Sequence, residues 1–219
     1  MSGNPDDSEH TRHDRTGAIY VLGDHDGDRT SLQALLADHF QGVVRGFRSG
    51  EAFLEEADHL GPGAIVVDGG VAAADGSEFL RAAARFGDKF TSIVLSGQAT
   101  IERAVAAMKA GAADYLARPC RPAALVAAVD AALSCLDHRH HAAARQKAAK
   151  TNIARLTGRE AEVLRGLIDG RPNKDIAQAL SLSPRTVEIY RAKVMEKLGA
   201  RSLSDALRIA FTAGLFPEG

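Results

Sequence analysis

The chain has 219 residues, of which 45% are hydrophobic and 25% are charged, and its formal net charge is −1. This length is enough for two small domains that each bury a core of their own. The composition is that of a soluble globular protein. No apolar run in the sequence approaches the length of a membrane span, and the polar N-terminus does not support a secretion signal. We therefore expect a cytoplasmic protein without a membrane partner, whose two cysteines, Cys120 and Cys135, are reduced thiols.

The near-zero net charge hides an uneven distribution along the chain. Residues 1–133 carry 12 Lys and Arg against 19 Asp and Glu, a net charge of −7. Residues 134–150 carry 4 against 1, and residues 151–219 carry 11 against 8, so each of these segments has a net charge of +3. This asymmetry indicates that only the C-terminal part meets a polyanion.

The N-terminal part alternates between short apolar runs and amphipathic segments after a polar, aperiodic stretch, residues 1–16, which predicts a disordered tail. The apolar runs predict buried strands at Ala18–Leu22, Val43–Phe47, Ala64–Val67, Ser92–Leu95 and Asp114–Leu116. The segments between and after them predict helices at Thr30–His39, Ser49–His59, Ser77–Phe86, Ile101–Lys109 and Pro122–Leu136. This alternation is typical of a doubly wound five-stranded parallel sheet, which we place at residues 17–136.

In such sheets, ligands and chemistry gather at the carboxyl ends of the strands. The residues at those ends are Gly23–Asp26, Asp68, Ser96 and Arg118, after the first, third, fourth and fifth predicted strands. If these residues serve only folding, they form a polar cluster at the strand ends.

Residues 137–152 are rich in His, Ala, Arg and Lys, and we expect them to extend the fifth helix and then loosen into a linker. A metal site could be drawn from His138, His140 and His141 beside Cys135. No second ligand cluster supports this site, so a solvated cationic linker is the better interpretation.

The last segment, residues 153–219, predicts an all-α domain of four helices. Thr157 and Glu160 have the spacing of a capping box, and Pro184 stands at the first position of the third helix. A short second helix, a tight turn and a longer third helix over Ser183–Leu198 are typical of a helix-turn-helix.

The third helix of this segment has two distinct faces at 100° per residue. The predicted core face holds Val187, Tyr190, Val194 and Leu198. The predicted base-contact residues on the outward face are Arg185, Glu188, Ile189 and Ala192. The predicted phosphate-contact residues are Lys174, Thr186, Arg191, Lys193, Lys197 and Arg201. Periodicity alone leaves a plain four-helix bundle with a solvated charged face as an equal alternative.

A longer motif favours the DNA-binding alternative. The run from Leu156 to Ala200, which includes SPRTVEIYRAKVMEKLGARS, resembles the LuxR-type DNA-binding domain, in particular the FixJ branch of the NarL/FixJ response regulators. The resemblance covers most of residues 153–213. It implies a transcription regulator that binds double-stranded DNA and is not an enzyme, and that works with RNA polymerase.

With that neighbour, the α/β domain resembles a receiver domain. The resemblance implies that Asp68 accepts a phosphoryl group from a histidine kinase, and it places Asp24 with Asp68 as Mg²⁺ ligands. Ser96 and Tyr115 match the phosphate-contacting hydroxyl and the switch aromatic of the family, and Gly76, Gly97 and Pro119 also lie at family positions. Phosphoryl transfer needs such a cation and a fixed positive side chain, because charge develops on the phosphoryl group.

Three positions depart from this family pattern. Gly23 replaces the first acid of the Mg²⁺-binding pair, Arg118 replaces the lysine, and Gly-Gly-Val-Ala follows Asp68. Losing a carboxylate weakens Mg²⁺ binding, and a planar guanidinium does not substitute directly for an ammonium. Asp26 or Asp28 could compensate. We expect a degenerate receiver whose phosphorylation is weak, absent or replaced by another input; the alternative is a conventional regulator that is activated by phosphorylation of Asp68.

The sequence also suggests two other classes of function, a phosphatase and a protein-interaction module. Asp24-His25-Asp26-Gly27-Asp28 resembles the start of haloacid-dehalogenase-type phosphatases, with Asp24 as nucleophile, but the domain is too short for that fold and its cap. The receiver-like domain could instead serve as an interaction module that forms a homodimer. The face implied by the family holds Val105, Met108, Lys109, Arg121 and Leu125.

Overall fold

The computed structural model describes residues 17–68 and 77–215. The chain divides into two compact units, the first ending at Arg139 and the second beginning at His140. The predicted tail of residues 1–16, the segment after Asp68 with Gly76, and residues 216–219 lie outside the described residues. The domain bounds drawn from the sequence stay a prediction.

The first unit is built on a parallel sheet of five strands within the described residues. They are β1 (Ala18–Leu22), β2 (Val44–Phe47), β3 (Gly63–Asp68), β4 (Phe90–Ser96) and β5 (Ala112–Ala117), in the spatial order β2-β1-β3-β4-β5. The central strands β3 and β4 are buried along their whole length, which explains their continuous apolar character. The predicted fold class is confirmed.

Within the described ranges, four helices alternate with these strands: α1 (Asp26–His39), α2 (Gly50–Glu56), α3 (Ser77–Ala83) and α4 (Ile101–Lys109). The bounds predicted for α4 are confirmed, because Thr100 caps its first turn and its side chain accepts a hydrogen bond from the Arg103 amide. Helix α1 begins four residues earlier than predicted, so that Asp26 and Asp28 lie in its first turn. Helix α3 ends earlier than predicted, where 3₁₀ turns over Ala84–Lys89 follow it.

Apolar residues of β1 alternate between two core clusters. Ile19 and Val21 belong to the cluster with Leu36 of α1 and Leu125, whereas Tyr20 and Leu22 belong to the cluster with Phe53 of α2. Because successive side chains of a strand point to opposite faces, the two clusters are the two faces of one sheet.

Helix α5 (Pro122–Ala154) is 33 residues long and begins after β5. Residues 137–152 extend the fifth predicted helix as expected, but they do not loosen into a linker, because α5 continues without a break to Ala154. The segment holds many alanines and no Gly or Pro, and this composition favours an uninterrupted helix.

As far as residue 215, where the description ends, the second unit holds the end of α5 and four further helices. They are α6 (Gly158–Ile168), α7 (Asn173–Leu180), α8 (Pro184–Leu198) and α9 (Leu203–Thr212). Their core includes Val163 and Leu164 of α6, which are no more than 1% exposed, and Val194 of α8, which is fully buried. No helix in the described ranges is long and apolar enough to cross a bilayer.

Candidate functional site

The polar residues predicted at the strand ends of the first unit do come together. Asp68 ends β3 opposite Leu95 of β4, and Ser96 ends β4 opposite Ala117 of β5. The amide of Arg118 donates a hydrogen bond to the Ser96 carbonyl over 2.8 Å, which continues the ladder by one residue. The carboxyl ends of β3, β4 and β5 therefore meet at one edge of the sheet, as the parallel topology requires.

Arg118 contacts two carboxylates at this edge. Its Nη2 lies 3.0 Å from Oδ2 of Asp68, and its Nη1 lies 3.4 Å from Oδ2 of Asp28. The side chain of Asp68 is 12% exposed and that of Arg118 is 26% exposed, so solvent screens this pair only weakly. Two nitrogens of the planar guanidinium meet two separate carboxylates, an arrangement that a lysine ammonium cannot reproduce with the same geometry.

Gly23 is buried directly beside this ion pair. A Cβ at this position would lie 3.4 Å from Cβ of Arg29 and 3.8 Å from Cβ of Asp68, so a side chain has ordinary room at its first atom. The Gly23 carbonyl accepts a hydrogen bond from Nη1 of Arg29 over 2.6 Å. The neighbouring Asp24 is exposed.

The two aspartates that could replace the missing acid each form an ion pair with an arginine. Asp26 forms a close ion pair with Arg29 and lies 3.9 Å from Nε of Arg48, while Asp28 faces Arg118. The hydrogen bond from Arg29, followed by the charges of Arg29 and Arg48, lowers the pKa of Asp26 below its ordinary value. The sequence predicts both side chains as possible substitutes, but it does not predict their contacts with arginines.

The residues at this edge do not fit a divalent cation well. Across the described ranges, no three His, Cys, Asp or Glu side chains group closely enough to hold a metal ion. Mg²⁺ takes oxygen ligands in near-octahedral geometry, and at this edge Gly23 supplies no side chain while Arg118 occupies one side of Asp68. The expected pair of Mg²⁺ ligands, Asp24 and Asp68, stays a prediction.

The two other residues of the predicted site are close to these strand ends. Ser96 is 7% exposed, and its hydroxyl accepts a hydrogen bond from the Gln98 amide over 3.3 Å. Tyr115 packs against the core cluster that includes Phe53, and its buried hydroxyl has no hydrogen-bond partner among the described residues. The ring of Tyr115 therefore faces inward.

The predicted dimer face is exposed along α4. Val105 is 45% exposed and Met108 is 49% exposed, and Lys109 and Arg121 are also exposed. The prediction that Leu125 belongs to the dimer face is wrong, because Leu125 is fully buried in the core cluster with Ile19. At the start of α5, spacing alone did not distinguish the core-facing leucine from its exposed neighbours.

One apolar member of this face was missed. Ile101 is 80% exposed and stands four residues before Val105 and seven before Met108, so the three side chains form one stripe on α4. The i, i+4, i+7 spacing was visible in the sequence.

In the second unit, α7 and α8 are joined by the predicted tight turn. Ser181 adopts the left-handed conformation with φ 56°, and the Leu182 amide donates a hydrogen bond to the Ala177 carbonyl over 2.8 Å. Ser183 then caps α8, and its side chain accepts a hydrogen bond from the Thr186 amide. Helix α8 ends at Gly199 in the left-handed region, with φ 68°.

Helix α8 separates its two faces as expected. Val187, Val194 and Leu198 are at most 2% exposed, and Tyr190 is partly buried against the cluster that includes Val187. On the outward face the described side chains are exposed: Arg185, Glu188, Ile189, Ala192 and Lys193. Ile189 is 50% exposed.

Four of the six predicted phosphate-contact residues are free to face a ligand, since Lys174, Lys193 and Arg201 are exposed and Arg191 is partly exposed. Thr186 shares a 2.8 Å hydrogen bond between its hydroxyl and that of Ser183. Lys197 points elsewhere, because its Nζ donates to Oε2 of Glu160 over 2.6 Å and to the Arg155 carbonyl over 3.3 Å.

Glu160 and Thr157 form the predicted capping box of α6. The Glu160 carboxylate accepts from the Thr157 amide over 2.7 Å, and the Thr157 hydroxyl accepts from the Glu160 amide. Glu160 is 3% exposed, and the hydrogen bond from Lys197, followed by that from Thr157, lowers its pKa to about 2. Residues 160 and 197 are far apart in sequence, and no periodic pattern predicted this contact.

The histidines after Cys135 lie along α5. His138 shares a 2.7 Å contact between its Nδ1 and the Ser134 carbonyl one turn earlier, and both His141 and Cys135 are exposed. Among the described residues, these histidines and Cys135 do not come together as a metal-binding group.

Comparisons with known proteins match both units. The model described as the response regulator receiver domain matches residues 19–130, and that described as bacterial regulatory proteins of the luxR family matches residues 154–210. The transcriptional regulatory protein FixJ of Azorhizobium caulinodans is 40% identical over 203 residues, which cover 91% of this chain and 94% of that protein. Response regulator protein TodT of Pseudomonas putida is 32% identical, with 90% and 86% covered.

Two solved structures of similar length also match. Full-length FixJ from B. japonicum is 36% identical, with a TM-score of 0.56, and the match covers 92% of this chain and 100% of that one. The response regulator StyR is 29% identical, with a TM-score of 0.78 and coverage of 90% and 99%. These relatives are regulators and not enzymes, which excludes the phosphatase alternative.

Proposed function

Since the chain belongs to the two-component response regulators that join a receiver domain to a LuxR-type DNA-binding domain, we propose that its receiver is degenerate. In this proposal Asp68 is phosphorylated weakly or not at all, and another input controls binding of the second unit to specific DNA sequences. The observation that carries the proposal is the ion pair between Arg118 and Asp68, over 3.0 Å, beside a buried glycine where the family has an acid.

Charge and geometry at this edge support the proposal. Attack by Asp68 on a phosphoryl group brings further negative charge to a carboxylate that already faces Asp28 across Arg118. Arg118 neutralises part of that charge, but its guanidinium occupies the side of Asp68 that it contacts. In the conventional alternative, Arg118 must break its ion pair with Asp68, and the phosphoryl donor must bring a divalent cation to the site.

The experiment measures phosphorylation of the full chain with acetyl phosphate and Mg²⁺ by intact mass. We expect slow, substoichiometric labelling of the natural chain. The double variant Gly23→Asp with Arg118→Lys restores the family residues, and Gly23 has room for the added Cβ. We expect this variant to be labelled faster by about tenfold or more, because it regains an acid and an ammonium.

Asp68→Asn is the control, because it keeps the size of the side chain at a nearly buried position while removing the nucleophile. Rapid, stoichiometric labelling of the natural chain that disappears in Asp68→Asn would establish the conventional alternative. Labelling that persists in Asp68→Asn would come from another site.

For the second unit, we propose that α8 reads bases in the major groove through Arg185, Glu188, Ile189 and Ala192. Arginine suits guanine, glutamate suits the cytosine amino group, and apolar side chains suit the thymine methyl group. The exposure of all four side chains supports this assignment. We also propose a homodimer on two adjacent half-sites, and RNA polymerase as a partner in regulation.

A further inference from the structure

One lysine joins the last turn of α8 to the ends of two other helices. Nζ of Lys197 lies 2.6 Å from Oε2 of Glu160, in the first turn of α6, and it donates a hydrogen bond to the Arg155 carbonyl over 3.3 Å. Arg155 directly follows the last residue of α5. A single ammonium therefore connects α8 to the junction between α5 and α6.

A second polar contact is made at the same end of α8. Nδ2 of Asn152, in the last turn of α5, donates a hydrogen bond to the Leu198 carbonyl over 3.4 Å. Carbonyls in the last turn of a helix have no partner within that helix, so this bond satisfies one of them. The C-terminal end of α8 is thus held by polar contacts as well as by the apolar cluster that includes Val194 and Leu198.

The orientation of this end affects the whole recognition face of α8. Arg185 and Lys197 are 12 positions apart, which corresponds to about 18 Å along the helix axis. At that length, a tilt of about 5° at the C-terminal end moves the other end by about 1.5 Å, which is enough to break a hydrogen bond to a base. Apolar attraction is non-directional, whereas the bonds of Lys197 have preferred distances and angles.

The partner of Lys197 argues against the phosphate contact predicted from the sequence. Glu160 is 3% exposed, and its carboxylate contacts the ammonium directly. If Lys197 turned to a phosphate, it would leave a buried carboxylate without its partner, and an unpaired buried charge is costly. Lys193, one turn earlier on α8, is exposed. The two lysines therefore differ in what they can contact.

We propose that Lys197 is a positioning residue for DNA recognition. It contacts no phosphate, and together with Glu160 it sets the orientation of α8 within the second unit. That orientation determines how closely the outward side chains of α8 meet their base pairs. The inference rests on the proposed reading of bases by α8, and it assigns part of the sequence specificity to two residues that do not touch DNA.

The test compares an operator selected in vitro with an unrelated duplex of the same length. Fluorescence anisotropy measures the affinity of the full chain for both duplexes across a salt series. Lys197→Met should lower the ratio of the two affinities about tenfold, the equivalent of one base contact, and should leave the salt slope unchanged. Lys193→Met is the comparison, because loss of an exposed phosphate contact should weaken both duplexes alike and reduce the slope by about one.

Glu160→Gln distinguishes the two roles of Lys197 most directly. It keeps the shape of the side chain and removes a negative charge, so a lysine that contacts phosphate would bind DNA as well as before or better. A positioning lysine loses its partner instead, and the affinity ratio should fall about as far as in Lys197→Met. Partial unfolding lowers the binding-competent fraction for both duplexes equally, so it does not change the ratio.

The double variant Glu160→Gln with Lys197→Met should lose no more specificity than either single variant, because all three lack the same contact. Losses that add up in the double variant would show that the two residues act separately and would overturn the inference. An unchanged affinity ratio in Glu160→Gln would overturn it too. So would a reduced salt slope in Lys197→Met with equal weakening of both duplexes.

Arg185→Ala separates failure of this inference from failure of the proposed base reading. A relaxed preference in Arg185→Ala, with unchanged ratios in Lys197→Met and Glu160→Gln, would overturn the positioning role alone. If Arg185→Ala and the matching variants at the other outward positions changed no preference, base reading by α8 would fail, and this inference would fail with it.

Discussion

At the residue scale, Glu160 shows how a buried carboxylate stays charged in this protein. Its oxygens accept hydrogen bonds from Nζ of Lys197 over 2.6 Å and from the Thr157 amide over 2.7 Å. These bonds offset the cost of removing the carboxylate from water. The contact joins the first turn of α6 to the last turn of α8, the helix that we propose reads DNA.

The pH dependence of this contact has a definite sign. The pKa of Glu160 is about 2 in the folded chain, against an ordinary value of 4.5, so the charged form is favoured by folding. The stabilisation is present in full above pH 4.5 and is lost as the pH falls through about 2. We expect Lys197→Met to lower the urea midpoint of the second unit near neutral pH, and this difference to shrink as the pH falls below 4.5.

The measurement follows amide resonances of α6 and α8 during urea titrations of the full chain. Lys193→Met is the matched control, because Lys193 lies one turn earlier on the exposed face of α8. A difference that stays constant down to about pH 2 would attribute the effect to packing of the lysine stem and not to the ion pair.

At the element scale, two of the proposed base-contact residues of α8 form a weak ion pair with each other in the absence of DNA. Nη1 of Arg185 lies 3.6 Å from Oε2 of Glu188, and their side chains are 85% and 55% exposed. Such an exposed i, i+3 pair contributes about 1 kcal/mol or less. The two side chains therefore separate at little cost when each meets a base.

Arginine and lysine on α8 should differ in what their loss does to DNA binding. Arg185→Ala should weaken binding to an operator selected in vitro by about 1–3 kcal/mol and relax the preference at one base pair. Lys193→Ala should weaken binding to all sequences and reduce the salt slope by about one. Fluorescence anisotropy across a salt series measures both effects.

Arg165→Ala, on the exposed part of α6, is the control for this experiment. It removes one positive charge from the same unit without touching α8. If it reproduced the loss of preference seen with Arg185→Ala, the assignment of base contacts to α8 would be wrong.

Elements differ in how far the sequence predicts them. The bounds of β1 and α4 were predicted residue for residue, because strong apolar patterns and a capping threonine mark them. The end of α5 was not predicted, since no Gly or Pro marks where an alanine-rich helix stops. The burial of Leu125 depends on packing against α1 and the sheet, which local spacing does not determine.

At the scale of the whole molecule, the order of strands and helices along the chain was enough to predict the site at the strand ends. In a parallel sheet, residues that follow separate strands meet at one edge, so Asp68 and Arg118 were brought together although 50 positions separate them. The sequence does not predict the contact between Asp28 and Arg118, because it predicts a loop where the structure has the first turn of α1. Which side chains form a contact between residues so far apart in the sequence depends on their rotamers, and the sequence pattern does not reveal these.

The exposed stripe of Ile101, Val105 and Met108 on α4 leads to a prediction about assembly. If the homodimer uses this face, Met108→Asp should weaken dimerisation of the full chain by about tenfold or more, because burying an unpaired charge is costly. It should also reduce cooperative binding to two half-sites set one DNA turn apart, while binding to a single half-site is unchanged.

Analytical ultracentrifugation and anisotropy on one-site and two-site duplexes measure these effects. Val43→Asp is the control, because Val43 is 67% exposed and precedes β2, at the opposite edge of the sheet from β5. Equal losses in both variants would indicate a general effect of added charge, and an unchanged Met108→Asp dimer would exclude this face.

The division of α8 into a buried side and an exposed side has a consequence for changing the protein's target. Val187, Val194 and Leu198 hold the helix in its unit, whereas Arg185, Glu188, Ile189 and Ala192 have no share in that core. The four outward positions can thus be randomised as a set while the fold is kept. If these side chains contact bases as proposed, a library at these positions would yield variants of this regulator that bind other operators.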